Sequence, residues 1–240
     1  MNNLTLSQLK KELAGFADKK QALILQRFFK TGKGEYGEGD VFIGIKVPDL
    51  RATAKKYKDI SLDNALELLT SKIHEHRMTA LFILDFHYNN SSDDSKGKIV
   101  KAYMKYVSRY VNNWDLVDLS APHFAGDYYY RNKDKRKILY KYAKSNSLWK
   151  RRVAIMTTFY FIKKGEYEDT LNIIEILMND KHDLIHKAAG WMLREIGKRI
   201  DEKIEKKFLD RYRELMPRTM LRYAIERFSE SERKRYLEKK

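Results

Sequence analysis

The sequence has no cysteine, which excludes disulfides and thiolate metal sites and gives no argument for export. It has three prolines, in VPDLR, APHF and MPRTM, and each can sit near a helix start. Of its 11 glycines, four lie in one short stretch, TGKGEYGEGD. No apolar run is long enough to span a bilayer. The opening MNNLTLSQLKKELAGF is amphipathic and lacks the apolar core of a signal peptide, so a soluble cytoplasmic protein is expected. Acid is also scarce: 33 Asp+Glu stand against 49 Lys+Arg, a formal net charge of +16. That balance suits an acidic partner, with nucleic acid ahead of an anionic membrane surface, although it also suits a merely well-solvated surface.

What is present reads almost entirely as helix. Apolar residues recur at spacings of three and four in LTLSQLKKELAGF, KKQALILQRFF, LDNALELLTSK, MTALFILDFHY, KIVKAYMKYVSRYV and KRKILYKYAK. The same spacing continues in RRVAIMTTFYFIKK, LNIIEILMND, KAAGWMLREIGK and EKKFLDRYRELM. The one strand-like run, VFIGIKV at 41–47, has no partner and reads as an extended connector. Four segments resemble one another: HEHRMTALFIL, WKRRVAIMTTF, IHKAAGWMLRE and PRTMLRYAIER. Each opens with basic or polar residues and continues with small and then large apolar ones. Aligning Ala80, Ala154, Ala189 and Leu221 gives offsets of 74, 35 and 32 residues, near one or two units of a helix hairpin. An all-α, curved solenoid of HEAT-like hairpins with a concave basic groove is expected, as a single domain over 1–240 whose N-terminal helices (1–30) and loop (31–47) lead into the repeats. An irregular helical bundle is the alternative.

The charge is concentrated. RNKDKRKILYKYAKSNSLWKRR, residues 131–152, holds ten Lys/Arg and one Asp, a net of +9. Tyr128, Tyr129, Tyr130, Tyr140, Tyr142 and Trp149 lie in or beside it, a mixture suited to a phosphate backbone with its sugars and bases. In KAAGWMLREIGK the residues Lys187, Trp191, Arg194 and Lys198 form one helical stripe, an indole flanked by cations, although core packing under snorkelling basic side chains fits as well.

Two motifs fail as chemistry. GEYGEGD cannot be a P-loop, because no Gly-Lys-Ser/Thr follows and its acids would repel phosphate. HDLIH places His182 and His186 one turn apart, but without an evident third ligand it reads as a helix N-terminus and not a metal site. NNWDLVD, residues 112–118, is different. Asn113 is a plausible N-cap and Asp115 lies in a first turn where the helix dipole favours it. Asp118 is deeper, and shares its face with Trp114. A structural carboxylate paired to a neighbouring arginine is the plain alternative.

WDLVD (114–118), WKRRVAI (149–155) and KAAGWMLRE (187–195) resemble DNA alkylation repair enzymes of the AlkD type, as do QRFFKTGKGEYGEGDVFIGIKVPDLR and MPRTMLRYAIE. The resemblance runs over nearly the whole chain. It implies a HEAT-like solenoid holding duplex DNA with alkylated purines, and a monofunctional glycosylase that needs no metal or cofactor. By motif, Asp118 matches the catalytic carboxylate, Trp114 and Trp191 match aromatics at the lesion, and Arg152 matches a basic residue on the DNA backbone. Its neighbours Lys150 and Arg151, with the stripe of Lys187, Arg194 and Lys198, are the further DNA contacts expected. Phe28 stands where the best-studied type has a tyrosine, which removes one polar contact. Nothing requires an oligomer, and a monomer is expected. Two other readings remain open at this point: a non-catalytic HEAT-like nucleic-acid-binding module and a protein-interaction scaffold.

Overall fold

The computed structural model describes residues 4–238, so residues 1–3 of the expected N-terminal helices lie outside the described residues. The described residues are helical and contain no strand. The run at 41–47 makes only an isolated bridge, between Val41 and Ile73, before helix resumes at Val47. The chain divides into two compact units, Met1–Ser120 and Ala121–Lys240. No helix of the described residues is long and apolar enough to cross a membrane.

Unit 1 comprises α1 (Leu6–Gly15), α2 (Lys19–Phe28), α3 (Val47–Lys56), α4 (Leu62–Leu69), α5 (His74–Asn89), α6 (Asp93–Tyr106) and α7 (Trp114–Ser120). Local chemistry sets the starts. Thr5 and Gln8 close a capping box on α1, Asp18 accepts two N–H groups at α2, Ser61 caps α4, and Pro48 occupies the first turn of α3. The centre is α5, against which α3, α4, α6 and α7 pack. It is buried on all sides over its first half, with Ala80, Leu81, Ile83 and Leu84 fully buried, as expected of a helix enclosed by others. Gly44, at φ +88°, lies so close to the backbone of Asp18 and Ala22 that a Cβ would collide with both, which ties the 41–46 connector to the start of α2.

Unit 2 opens with one turn of π-helix, Ala121–Ala125, and α8 (Gly126–Arg131). Pro122 sits inside that turn and not at a helix start, a departure from the sequence reading; lacking an N–H, it disfavours regular α-helical bonding there. Then come α9 (Lys137–Ala143), α10 (Leu148–Lys163), α11 (Glu168–Leu177), α12 (Asp183–Arg199), α13 (Glu202–Tyr212), α14 (Arg218–Ala224) and α15 (Glu230–Leu237). α10 packs on α12 and α12 on α14, while α9, α11 and α13 pair with them as partners of successive hairpins. Gly190 lets α14 approach α12 closely, since a Cβ there would strike Met220. All four aligned segments are helices in the two units, and Ala80, Ala154, Ala189 and Leu221 are all buried.

Glu205 of α13 is buried, its Oε1 without a hydrogen-bond partner, against the space left by the absent side chain of Gly197. Burial, reinforced by Glu202, pushes its carboxyl from 4.5 up to about 8. The folded chain therefore keeps a proton that the unfolded chain releases, and stability falls as pH rises from 4.5 towards 8. Glu205→Gln, an isostere of the protonated acid, is expected to stabilise the protein at about pH 8 by at least ~1 kcal/mol and to leave it unchanged near pH 4. Urea unfolding at the two pH values measures the difference.

Candidate active site

In unit 1 the site is assembled from four segments distant in sequence. α5 begins His74-Glu75-His76-Arg77, and all four of these polar side chains are buried. His74 is held through both ring nitrogens: Nδ1 lies 2.8 Å from Oδ2 of Asp40, and Nε2 lies 2.8 Å from Oδ2 of Asp115. Arg77 donates to Asp40 Oδ1 at 2.6 Å and to the carbonyls of Ser71 and Lys72. Glu75 accepts the N–H groups of Ile43, Gly44 and Ile45, at 2.7–3.3 Å for its Oε1, which fastens the 41–46 connector over α5.

With a carboxylate at each nitrogen, the ring is stable only when it carries both protons. Burial opposes that charge, but Asp115 and then Asp40 overcome it and push His74 up to about 9. Asp40 is held below the usual carboxylate range by His74 and Arg77 against the opposing effect of burial. The contrast with His76 isolates the cause. It is buried too, but lies near the cations Lys10 and Arg77, and burial pushes it down to about 4.

This cluster carries the start of α7. Asn113 takes the N–H of Trp114 on its own Oδ1 at 2.8 Å, takes the N–H of Val117 on its carbonyl, and donates its amide to Asp40 at 3.3 Å. It does stand at the cap position, as its sequence context suggested. Asp115 is more than a first-turn acid: Oδ1 accepts the N–H of Leu116 while Oδ2 takes His74. Trp114 is half-buried, with Phe29 stacked 5.3 Å away at 24° and Phe28 edge-on at 6.0 Å. Phe28 itself is 61% exposed. Asp118, also half-buried, follows Trp114 by one turn of the same helix. Trp114, Asp118 and Phe28 are thus together in unit 1.

The other expected residues belong to unit 2. Trp191 of α12 donates Nε1–H to Glu195 at 3.2 Å and has its ring 5.8 Å from Phe159 of α10. Glu195 also accepts from Arg199, and Arg199 and Lys163 lie 5.2 and 5.3 Å from the Phe159 ring. Phe159, Lys163 and Arg199 were not singled out in the sequence, because their relation to Trp191 crosses two helices. Within the stripe, Lys187 is paired to Asp183 at 2.6 Å, Arg194 to Glu226, and Lys198 is exposed. Arg152 is buried and donates Nη1–H to the carbonyl of Leu184 at 2.5 Å. Arg151, read as a DNA contact, is placed in a clamp on Asp180 and the carbonyls of Ser145 and Asn146. Lys150 lies over Tyr142 at 5.4 Å.

Much of the basic run is similarly engaged within the unit. Arg136 is buried against Glu166, Asp169 and the carbonyls of Tyr129 and Tyr130; Lys133 pairs with Glu166 and Arg131 with Asp127. Tyr129, Tyr142 and Trp149 are core residues. Lys137, Lys141 and Lys144 remain exposed. HDLIH is a helix start, as its context suggested: His182 caps α12 by accepting the N–H of Leu184.

Residues 9–228 match the model of the family described as DNA alkylation repair enzyme. Two solved structures are similar. One is described as a predicted DNA alkylation repair enzyme from Enterococcus faecalis (TM-score 0.72, 18% identity, 89% of this chain and 97% of that chain). The other is AlkD2 from Streptococcus mutans (TM-score 0.56, 18% identity, 88% and 99%). At that identity they support the fold alone. No curated protein matches the sequence.

The His74 cluster predicts a pH dependence of stability. A group whose folded pKa is raised contributes fully below its unfolded value, 6.5 here, and loses that contribution as pH climbs through about 9. The decline is expected to reach roughly 3 kcal/mol at most across that interval. This part should be absent in His74→Gln, leaving the fall below about pH 8 that Glu205 contributes, as read by urea unfolding at successive pH values.

Proposed function

Because the chain belongs to the family of DNA alkylation repair enzymes, we propose that it is a monofunctional DNA glycosylase. It hydrolyses the N-glycosidic bond of cationic N3- and N7-alkylated purines in duplex DNA, as a monomer, in the cytoplasm, without metal or cofactor. The observation that carries this reading is Asp118 one helical turn from Trp114 on α7, with the exposed ring of Phe28 against the indole. A carboxylate beside accessible aromatic faces suits a sugar that becomes positively charged.

Alkylation at N3 or N7 makes the purine cationic and a good leaving group. The glycosidic bond breaks, its electron pair leaves with the now neutral base, and the sugar becomes an oxocarbenium ion. Water then adds at the anomeric carbon and loses a proton. Asp118 stabilises the sugar cation and orients the water. Opposite charges about 4 Å apart at an effective dielectric near 20 attract by roughly 4 kcal/mol. Felt only at the transition state, that amounts to on the order of a thousandfold in rate. Trp114 adds a cation–π contribution of about 1–2 kcal/mol. Unmodified purines leave too slowly for such help to matter, so selectivity follows from the lesion's own chemistry and requires no base-specific pocket.

For unit 2 the proposal takes the stacked hairpins as HEAT-like repeats. It assigns Trp191 and Arg152 to the sugar–phosphate backbone, and assigns Lys150, Lys187, Arg194 and Lys198 to supporting phosphate contacts. Arg151 is assigned to the backbone with Arg152; both guanidiniums also bond groups within the unit, Asp180 and two carbonyls for Arg151 and the Leu184 carbonyl for Arg152. The net charge of +16 supports a polyanionic partner.

Asp118→Asn is expected to reduce release of 7-methylguanine from methylated duplex DNA by about a hundredfold or more. Its DNA affinity should stay within about twofold, because the carboxylate is not a phosphate contact. Unchanged release would leave a non-catalytic nucleic-acid-binding module. Affinity for duplex DNA should fall linearly with salt on logarithmic axes, with a slope of several phosphates; a flat response would indicate a protein scaffold instead.

A further inference from the structure

We propose that His74 is a positioning residue for this site: clamped between Asp40 and Asp115, its ring sets the first turn of α7 and with it Trp114 and Asp118. The inference rests on the reading of Trp114 and Asp118 given above.

Three connections lead from the one ring to Trp114. The first runs forward along the helix: Nε2–H donates to Asp115, whose second oxygen takes the N–H of Leu116, so the carboxylate joins the ring to the backbone just after Trp114. The second arrives from behind. Nδ1–H donates to Asp40 Oδ2, the same oxygen takes the Asn113 amide, and Asn113 Oδ1 takes the N–H of Trp114 itself. The third is aromatic. The His74 ring stacks on Phe42 at 4.3 Å, Phe42 on Phe29 at 4.9 Å, and Phe29 on the Trp114 indole at 5.3 Å. Backbone and side chain of Trp114 are therefore held by separate routes that meet at one imidazolium.

Cohesion alone does not require such an arrangement. Leu116 and Val117 already bury the inner face of α7, and apolar residues at positions 40, 74, 77 and 115 together would fill the space without placing charges in the interior. What hydrogen bonds add is direction: a helix gripped at its first two residues cannot rotate or slide, and Asp118 lies one turn further along. A displacement of about 1 Å at a reacting group can cost up to a hundredfold in rate.

The test uses the full chain labelled with 5-fluorotryptophan, its three indole resonances assigned by Trp114→Phe and the corresponding changes at Trp149 and Trp191. His74→Gln and the milder Asp115→Asn are compared with wild type by fluorine NMR, by single-turnover release of 7-methylguanine from methylated duplex DNA, and by DNA affinity. In both variants the Trp114 resonance should move or split while those of Trp149 and Trp191 stay. The single-turnover rate should fall about tenfold or more with DNA affinity changed less than about twofold. If His74→Gln does not fold, Asp115→Asn decides. An unmoved Trp114 resonance in folded variants overturns the proposal, and so does a general response in which all three resonances shift and rate and affinity fall together. Should wild type release no alkylated purine, the proposed function fails, and the Trp114 resonance alone decides the role of His74.

Discussion

Two carboxylates flank His74 beside the start of α7, Asp40 buried and Asp115 largely so, and the organisation of unit 1 follows from how they are neutralised. Asp40 and Asp115 come from a loop and a helix 75 residues apart in sequence, and neither is stable in the interior as an isolated anion. Isolated burial costs several kcal/mol per ion, and only close, well-directed partners offset it. His74 and Arg77, both on the first turn of α5, supply two positive charges for two negative ones. The resulting cluster is neutral, satisfied at both imidazole nitrogens, and reachable only if the 32–46 loop folds back over α5. The Glu75 carboxylate enforces that return by gathering three consecutive N–H groups of the connector.

The same device recurs along the chain in weaker form. Three residues before the aligned Ala80, Ala154, Ala189 and Leu221 stand Arg77, Arg151, His186 and Arg218. Each side chain contacts a backbone carbonyl at or just past a helix end: Ser71 and Lys72, Ser145 and Asn146, Asp180, and Leu237. Two of the four add an aspartate, Asp40 for Arg77 and Asp180 for Arg151. The basic residues that open each similar segment are therefore clamps between helices first. In 131–152 this clamp accounts for Arg151, while Arg131, Lys133 and Arg136 are paired within the unit by other acids.

The helices were legible because periodicity is local: spacing of three and four marked most elements and all four similar segments, and proline signalled the start of α3. Asp118 and Trp114 were legible as a pair for the same reason, since four residues apart on a helix is a local relation. His74 was not. HEHR looked like a polar helix opening, and no local pattern reports that position 74 will meet positions 40 and 115. Asp40 was hidden among the acids of an evident loop, and Asp115 had a sufficient local explanation in the helix dipole. Phe159, Lys163 and Arg199 escaped for a similar reason, because the cluster they form with Trp191 exists only once α10 and α12 are packed.

On the proposed reading, this distribution of labour follows from the chemistry. A cationic purine departs with little assistance, so the protein need not recognise the base; it needs one negative charge held where the sugar cation develops. Electrostatic help of that kind falls off with distance and is lost if the charge can retreat into solvent. A carboxylate at the fifth residue of a helix, close to its N-terminal end, would be poorly fixed by local helical bonds alone. Anchoring the helix at its first two residues to a buried, neutral charge cluster supplies the missing rigidity. It also leaves the face with Trp114 and Asp118 only half-covered, so that stiffness and access come from opposite ends of the same side-chain network.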